Sequence, residues 1–506
     1  FMPGWSEISN VLERLAKVSF AHQLQVHALH SRLPSSEQKQ IFNVPPSGKR
    51  KVVVATVLAE TSITVEDVVY VLDAGRSRTT FFNEQTMISA LRTVWYSKAN
   101  GFQRRGRAGR CRPGVWYRLF TSLQWEAMDE YELPEMQRSP LEELCLEVAS
   151  LQLGPPEEFL QEAISPPAAD VLRHAVAMLE RLGATDSTGA QVTPLGAKLA
   201  KLQVHPMLGK MLLLAAPFRC FEMMLTICAS LGYKSPFICP LGMEKEANKA
   251  REELSQGSKS DLVALVNAYE GWKVGKASFA WQYYLSKETM DYIHRLREDL
   301  RLSIREVLHD VPQDHPDAVA RAEACKAVLT AGLFPNLAWL QRYGKGRTLQ
   351  NLPVKAHPGS VNAKEGLSLV VFYEIQETMD RYLYDSTVVG AAPCLLFAPF
   401  LKEIQRKQRA IFELETWHVA VDLRVADELL ALRPLVADFV NAVVGERLGN
   451  APLEAANALQ KLFTEKVETT GGDEEDEVDE KDEAYRQEVP DAWDSEPSAK
   501  HQKTAS

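Results

Sequence analysis

Residues 51–60 read KVVVATVLAE and residues 68–75 read VVYVLDAG. Apolar runs of this kind, without polar residues at alternate positions, belong to strands buried on both faces, which is the situation of a parallel sheet covered by helices. The flanking stretches fit that reading. WSEISNVLERLAKVSF, from residue 5, places apolar side chains at helical spacing, and MISALRTVWYSKANGFQRRGRAGR, from residue 87, runs into a helix-compatible segment. Residues 1–132 therefore read as half of a doubly wound α/β domain.

One such unit accounts for a quarter of the chain. At 506 residues the sequence exceeds the size at which a single hydrophobic core keeps growing, so several domains are expected. From about 133 to 322 the pattern becomes amphipathic and helical, as in PLEELCLEVASLQL, AADVLRHAVAMLERLGA and SDLVALVNAYEGWK. From about 323 short β runs return, including LSLVVFYEIQ, RYLYDSTVV and CLLFAPF, divided by Gly, Pro and Asn in the manner of a small barrel. LRVADELLALRPLVADFVNAVVGERLG then reads as a closing helix, and no internal repeat of fixed period occurs.

Charge and cysteine content narrow the class. The tail 468–506 holds fourteen Asp/Glu against four Lys/Arg, which accounts for the whole net charge of -10 and predicts a solvated, disordered segment. Seven scattered cysteines, none in a C-x-x-C spacing, read as reduced thiols of an intracellular protein. No apolar run reaches the length of a membrane span, and no basic n-region or cleavage site follows Phe1, so neither insertion nor secretion is supported. A first residue that is Phe rather than Met leads to the expectation that the natural chain starts upstream.

The densest chemical signal is QRRGRAGRCRPG, residues 103–114, with five arginines in twelve positions and no phosphate-cradling glycine loop nearby. It closes an ordered series: FMPGWSEI (1–8), LHSRLPSSEQKQIF (29–42), ATVLAETSITV (55–65) and QRRGRAGR (103–110). In this order the four resemble the second RecA-like lobe of a DEAH/RHA-type superfamily 2 helicase. The resemblance continues through LPEMQRSPLEELCL, TPLGAKLAKLQVHPMLGKM, SDLVALVNAYEGW and AHPGSVN, and covers roughly residues 1–447.

What the resemblance implies can be set out residue by residue. The domains would be a second RecA-like lobe (1–132), a winged helix (133–204), a helical ratchet domain (205–322), an OB-fold (323–422), a C-terminal helical segment (423–467) and the acidic tail (468–506). Arg107 and Arg110 would act as arginine fingers on the γ-phosphate of ATP, with Gln103 orienting water or contacting phosphate. They fall at i, i+4 and i+7, the helical spacing that would turn all three toward one cleft. Arg104 and Arg105 fall off that face and are expected to be structural or solvated, and Arg112 has no assigned role. Phe42 would stack on the adenine, while Thr64 and Glu66 would lie by the ribose. Ser31, Arg32 and Thr56 would contact the RNA backbone, joined downstream by Arg342, Lys345, His357 and Ser360, with Arg347 in the same basic loop. GRSRTTFFNEQTMISALRTVWYSK (75–98) should form a β-hairpin between the lobes and the downstream domains.

The implied activity is ATP-dependent 3′-to-5′ RNA unwinding or remodelling, with DNA as an allowed alternative. ATP and Mg²⁺ would be held mainly by a first RecA-like lobe absent from this sequence, which contains no G-x-G-K-[ST] loop and no DEAH box, so the chain alone should be inactive. The location would be intracellular: cytoplasm, nucleus or an organelle. Two departures from the family pattern stand out. Val57 replaces an asparagine, and Glu377, Thr378 and Met379 replace a Lys-Thr-Ser run, putting a carboxylate where a phosphate contact would be. They motivate a second reading, a non-catalytic RNA-binding or adaptor protein on a helicase scaffold. Arg107, Arg110 and Phe42 argue for the first, because a scaffold has no use for arginine fingers.

Overall fold

The computed structural model describes residues 1–444 apart from 31–32, 34–37, 62–64, 84–87, 112, 241, 309–310, 312, 379, 400 and 408. Ser31, Arg32, Thr64, Arg112, Met379 and the acidic tail thus lie outside the described residues.

The two apolar runs form strands of parallel pairs, as their composition predicts, but the second, Tyr70–Asp73, is buried on one face only, with Val71 and Asp73 buried and Tyr70 and Leu72 exposed. β1 (Leu24–Leu29) lies parallel to β2 (Arg50–Ala55), and β3 (Tyr70–Asp73) lies parallel to β6 (Val115–Arg118). Phe1 and Met2 stitch the pairs together: the Met2 N–H donates to the Ala55 carbonyl at 2.8 Å, and the Phe1 nitrogen donates to the Leu72 carbonyl at 2.6 Å. Helix Trp5–Ala16 packs on β1 and β2 through the fully buried Ile8, with Glu7 in its first turn and Arg14 in its last, each on the favourable end of the helix dipole. Helix Lys98–Ala108 packs on β3 and β6.

Between β3 and that helix, β4 (Arg76–Asn83) and β5 (Ile88–Trp95) form the expected antiparallel hairpin, in register from Arg76–Trp95 to Asn83–Ile88. Its far edge is not free. β5 pairs in parallel with β11 (Glu374–Glu377) through Ser89–Gln376 and Ala90–Glu377, so the hairpin closes one end of a nine-stranded sheet ordered β13-β10-β7-β8-β9-β12-β11-β5-β4. The other members are β7 (Leu337–Leu340), β8 (Lys345–Thr348), β9 (Pro353–Ala356), β10 (Ser368–Val371), β12 (Arg381–Tyr384) and β13 (Thr387–Val388). Their inward side chains, Ala338, Leu340, Val354, Ala356, Val370, Phe372 and Leu383, make a small core of their own. A three-stranded antiparallel meander, β14 (Lys402–Arg406), β15 (Arg409–Leu414) and β16 (Trp417–Asp422), precedes the closing helix Leu423–Val444.

The middle of the chain is helical, as its 3.6-residue periodicity predicts. Thr193 caps helix Pro194–Leu202 by accepting the Gly196 N–H at 3.0 Å, with Pro194 in the first turn where its missing N–H costs nothing. Helix Ala169–Leu182 ends at Gly183, whose φ of +75° suits a residue without a Cβ. One continuous buried cluster runs from Leu141 through Met211, Leu225, Trp272 and Leu329 to Phe412 and Phe439, uniting these helices with the meander and the closing helix. Among the described residues no helix is long and apolar enough to cross a membrane.

Candidate functional site

The arginine-rich motif occupies the C-terminal half of helix Lys98–Ala108 and the turn after it. Arg104 points inward. Its side chain is 1 % exposed, and its guanidinium spans two buried carboxylates, Glu60 Oε2 at 2.8 Å from Nε and Asp73 Oδ1 at 3.0 Å from a terminal nitrogen. The rings of Tyr96 and Phe1 lie 4.4 and 4.8 Å from it. Asp73 also accepts from the Tyr96 hydroxyl at 2.7 Å, the Trp116 indole at 3.1 Å and the Gly75 N–H at 3.0 Å. Burial, and then the Asp73 charge, push the Tyr96 hydroxyl well above its ordinary pKa, so it stays a donor. Arg104 is therefore structural: it ties the helix to β3 and to the turn after β2.

Glu60 is the residue that sequence reasoning missed. It sits in the helical turn Leu58–Thr61 within ATVLAETSITV, 1 % exposed, and its Oε1 accepts from Asn100 at 2.6 Å while Oε2 holds Arg104. Its main-chain carbonyl accepts a short hydrogen bond from Arg107. One residue thus joins the third motif to the fourth. A lone acid in an apolar turn, in a chain with an arginine-rich helix, was the signal available, but nothing in the sequence names the partner.

Arg107 is half-buried and reaches the edge of the helix. Burial and the adjacent Arg110 charge lower its pKa, against the raising effect of Glu60. Two guanidiniums that feel each other's charge make a site where an incoming polyanion relieves repulsion. The helical-spacing argument needs a correction here. The helix ends at Ala108, with Gly109 as its C-cap, so exposed Arg110 lies beyond it and approaches Arg107 through the turn rather than sharing a helical face with it as the i+7 neighbour of Gln103. Gln103 remains on the helix and is exposed, as is Arg105, which packs its guanidinium 4.8 Å from the Phe102 ring.

Upstream, KQIF forms a single 3-10 turn that sends Ile41 into the lobe core and leaves Phe42 52 % exposed. An exposed phenylalanine beside a fully buried isoleucine separates packing from surface duty within two residues. Glu66 is exposed in the turn before β3. Thr56 is buried, its N–H donating to the Leu29 carbonyl at 3.3 Å and its carbonyl accepting from Ala59 at 3.1 Å, while Val57 is exposed.

Far along the chain, Arg342 and Lys345 flank the turn between β7 and β8 and are both exposed; Arg347 donates to the Asn351 carbonyl and side chain at 3.2 and 3.1 Å. His357 Nδ1 accepts from the Gly359 N–H at 3.0 Å, and its ring lies 4.5 Å from that of Tyr384. Ser360 departs from the expected phosphate contact. It is buried, and its hydroxyl donates to Asp261 Oδ2 at 2.6 Å in a network where Asp261 also accepts from the Val361 and Ser386 N–H groups at 2.9 and 3.1 Å. The reason is positional: Asp261 opens helix Asp261–Gln282, and Ser360 turns inward to satisfy its carboxylate. Glu377 is not a bare repulsive charge, since Arg381 Nε lies 3.5 Å from its carboxylate.

Three family models match the chain. The helicase conserved C-terminal domain matches residues 1–112, the ratchet-like helicase associated domain (HA2) residues 205–265, and the oligonucleotide/oligosaccharide-binding (OB)-fold residues 325–401. Among curated proteins, the DExH-box ATP-dependent RNA helicase DExH1 of Arabidopsis thaliana is 40% identical over 418 residues, 78% of this chain and 42% of the relative. The ATP-dependent DNA/RNA helicase DHX36 of Homo sapiens is 39% identical over 422 residues, 78% of this chain and 42% of the relative. The ATP-dependent RNA helicase dhx29 of Xenopus laevis is 32% identical over 487 residues, 89% of this chain and 35% of the relative. The chain spans less than half the length of these relatives.

Proposed function

Because the chain belongs to the DEAH/RHA-type superfamily 2 helicases and carries their C-terminal domain set, we propose that it is the C-terminal part of an ATP-dependent 3′-to-5′ RNA helicase, with DNA as an allowed alternative substrate. The observation that carries this reading is the Arg107–Arg110 pair, one guanidinium held by the Glu60 carbonyl and the other free to turn at the helix end. Seated against a γ-phosphate supplied across the cleft by a first RecA-like lobe, the pair stabilises the charge that builds on the transferring phosphoryl group as water attacks and the bond to the ADP oxygen breaks. Gln103, exposed on the same helix, is placed to orient that water. The Mg²⁺ that such chemistry uses would be held mainly by the first lobe.

Coupling follows from Glu60. The loop proposed to meet the RNA backbone, beginning at Thr56, runs directly into the turn whose carboxylate and carbonyl position Arg104 and Arg107. A shift of that loop on RNA binding moves the finger, which gives RNA-stimulated hydrolysis a mechanical basis. The proposal keeps the domain boundaries read from the sequence, except that helix Ala318–Leu333 runs across the one at 322, and it keeps an intracellular site of action.

The 506-residue chain alone should bind single-stranded RNA with an affinity that falls steeply with salt, and should not hydrolyse ATP. Joined to its first lobe it should show RNA-stimulated turnover. Robust hydrolysis by the isolated chain, measured as phosphate release with and without RNA, would overturn the division of labour. Phe42→Ala in the two-lobed protein should weaken ATP binding by about 1 to 3 kcal/mol, the scale of one base–aromatic stack, and should do so equally for GTP. An unchanged nucleotide affinity would remove Phe42 from the site.

A further inference from the structure

Phe42 and Glu66, expected at the adenine and at the ribose, stand on separate turns that are built in the same way. Ile41 and Val65, the residues just before them, pack into one small core with Val53 and Ala55 of β2, while Phe42 and Glu66 are exposed. Apolar contact sets how deep each turn sits. It does not set how the two outward side chains stand relative to each other, because such packing is not directional.

Lys51 supplies the direction. By the two-residue alternation of strands it shares the face of β2 that carries Val53 and Ala55. Its side chain is only 7 % exposed, a burial that lysine tolerates only when paired, and its ammonium is divided between the two turns. Nζ donates to the Ile41 carbonyl at 2.8 Å and reaches both carboxylate oxygens of Asp67, at 3.0 and 2.8 Å. The Ile41 carbonyl belongs to the peptide plane that leads into Phe42, and Asp67 directly follows Glu66. An ammonium has three protons, and these three acceptors match them. The start of the Phe42 turn is held separately, by Gln38 Nε2 donating to the His30 and Leu33 carbonyls at 3.1 and 2.8 Å.

We infer that Lys51 is a positioning residue for the nucleotide, holding the Phe42 turn and the Glu66 turn at a fixed separation so that base and ribose are met together. The inference rests on the nucleotide reading of Phe42 and Glu66 above and adds what keeps the two in register. Two contacts to one ligand count in full only when their spacing already matches it, since ordering them on binding consumes part of what they give. An ion pair between exposed turns would flex, whereas this ammonium is largely out of water, where its hydrogen bonds are stronger. Asp67 is 29 % exposed and can turn to solvent once the lysine is gone, so truncation loosens the turns without stranding a buried charge.

The test uses the two-lobed protein, ATP as substrate and inorganic tripolyphosphate, which lacks base and ribose, as a competitive inhibitor. Lys51→Met should raise KM for ATP by about fivefold or more, within the roughly 150-fold that a whole base–aromatic stack supplies. It should leave kcat near wild type, the pattern of lost uniform binding, and the inhibition constant of tripolyphosphate unchanged. Combined with Phe42→Ala it should cost less than the product of the two single losses, because the lysine acts through that ring. Lys51→Met with Asp67→Asn removes both charges and should restore thermal stability without restoring KM. Asp67→Asn alone keeps the size of the side chain and weakens one end of the tether. It should show the same pattern at smaller amplitude, and it carries the test if Lys51→Met does not fold. An unchanged KM, a parallel loss of tripolyphosphate, losses that multiply with Phe42→Ala, or a KM restored by the charge-free pair each overturn the inference. Phe42→Ala without effect on ATP binding overturns the nucleotide reading and this inference with it, whereas a weakened Phe42→Ala beside a normal Lys51→Met removes Lys51 alone.

Discussion

Arg107→Ala in the two-lobed protein should lower RNA-stimulated ATP turnover by about 10³- to 10⁵-fold while leaving RNA affinity in place, because an arginine finger supplies transition-state charge that no other group replaces. The structure explains why this loss should come without unfolding. Arg107 donates to a main-chain carbonyl, and the Glu60 carboxylate keeps Arg104 and Asn100 when Arg107 is gone. Loss of the bond to the Glu60 carbonyl should itself cost about 1 kcal/mol, the net value of a hydrogen bond. Arg107→Lys should recover only a part of the rate, since an ammonium keeps the charge but not the fork that holds a carbonyl and a phosphate at once. Single-turnover phosphate release, read beside RNA binding, separates the outcomes: loss of both together would point to a backbone-binding or folding role instead.

Arg104→Ala should do the opposite, destabilising the lobe by about 3 to 5 kcal/mol because it strands buried carboxylates without their cation. Glu60 and Asp73 are 1 and 0 % exposed, so neither can turn to water. Against the 5 to 15 kcal/mol typical of a whole domain, a loss of this size brings the lobe close to unfolding at growth temperature. Arg104→Lys should be nearly as damaging, as one ammonium cannot span both carboxylates. A triple variant, Arg104→Met with Glu60→Gln and Asp73→Asn, should recover much of the loss by removing the charges together. Denaturant titration followed by tryptophan fluorescence, where Trp116 reports beside Asp73, measures the series. A midpoint for Arg104→Ala matching wild type would show that the triad contributes nothing to the lobe.

The two arginines, three residues apart in one motif, therefore have separable tasks, and this separation was only half legible in the sequence. Spacing alone moves Arg104 off the face of Gln103 and Arg107. It does not reveal that Arg104 is fully buried, nor that a glutamate forty-four residues upstream meets it. Arg110 shows the same limit from another side. A periodicity argument carries the helix through it, whereas Gly106 and Gly109 weaken the helix, which ends at Ala108. Ser360 was legible as polar and near a basic loop, but its hydroxyl is taken by Asp261 from a segment ninety-nine residues away.

What the sequence by itself determined is whatever depends on neighbours along the chain. Apolar runs specified parallel strands, and helical periodicity the middle domains. Ordered motifs specified the family. What only the tertiary structure decided is which side chains share a buried space or a sheet face. Glu60 became the link between two motifs, and the hairpin joined the barrel sheet through Ser89 and Ala90. The physical reason is that local propensity acts over a few residues. Desolvation of a charge and pairing of a strand edge are settled by partners that only folding brings within a few ångströms.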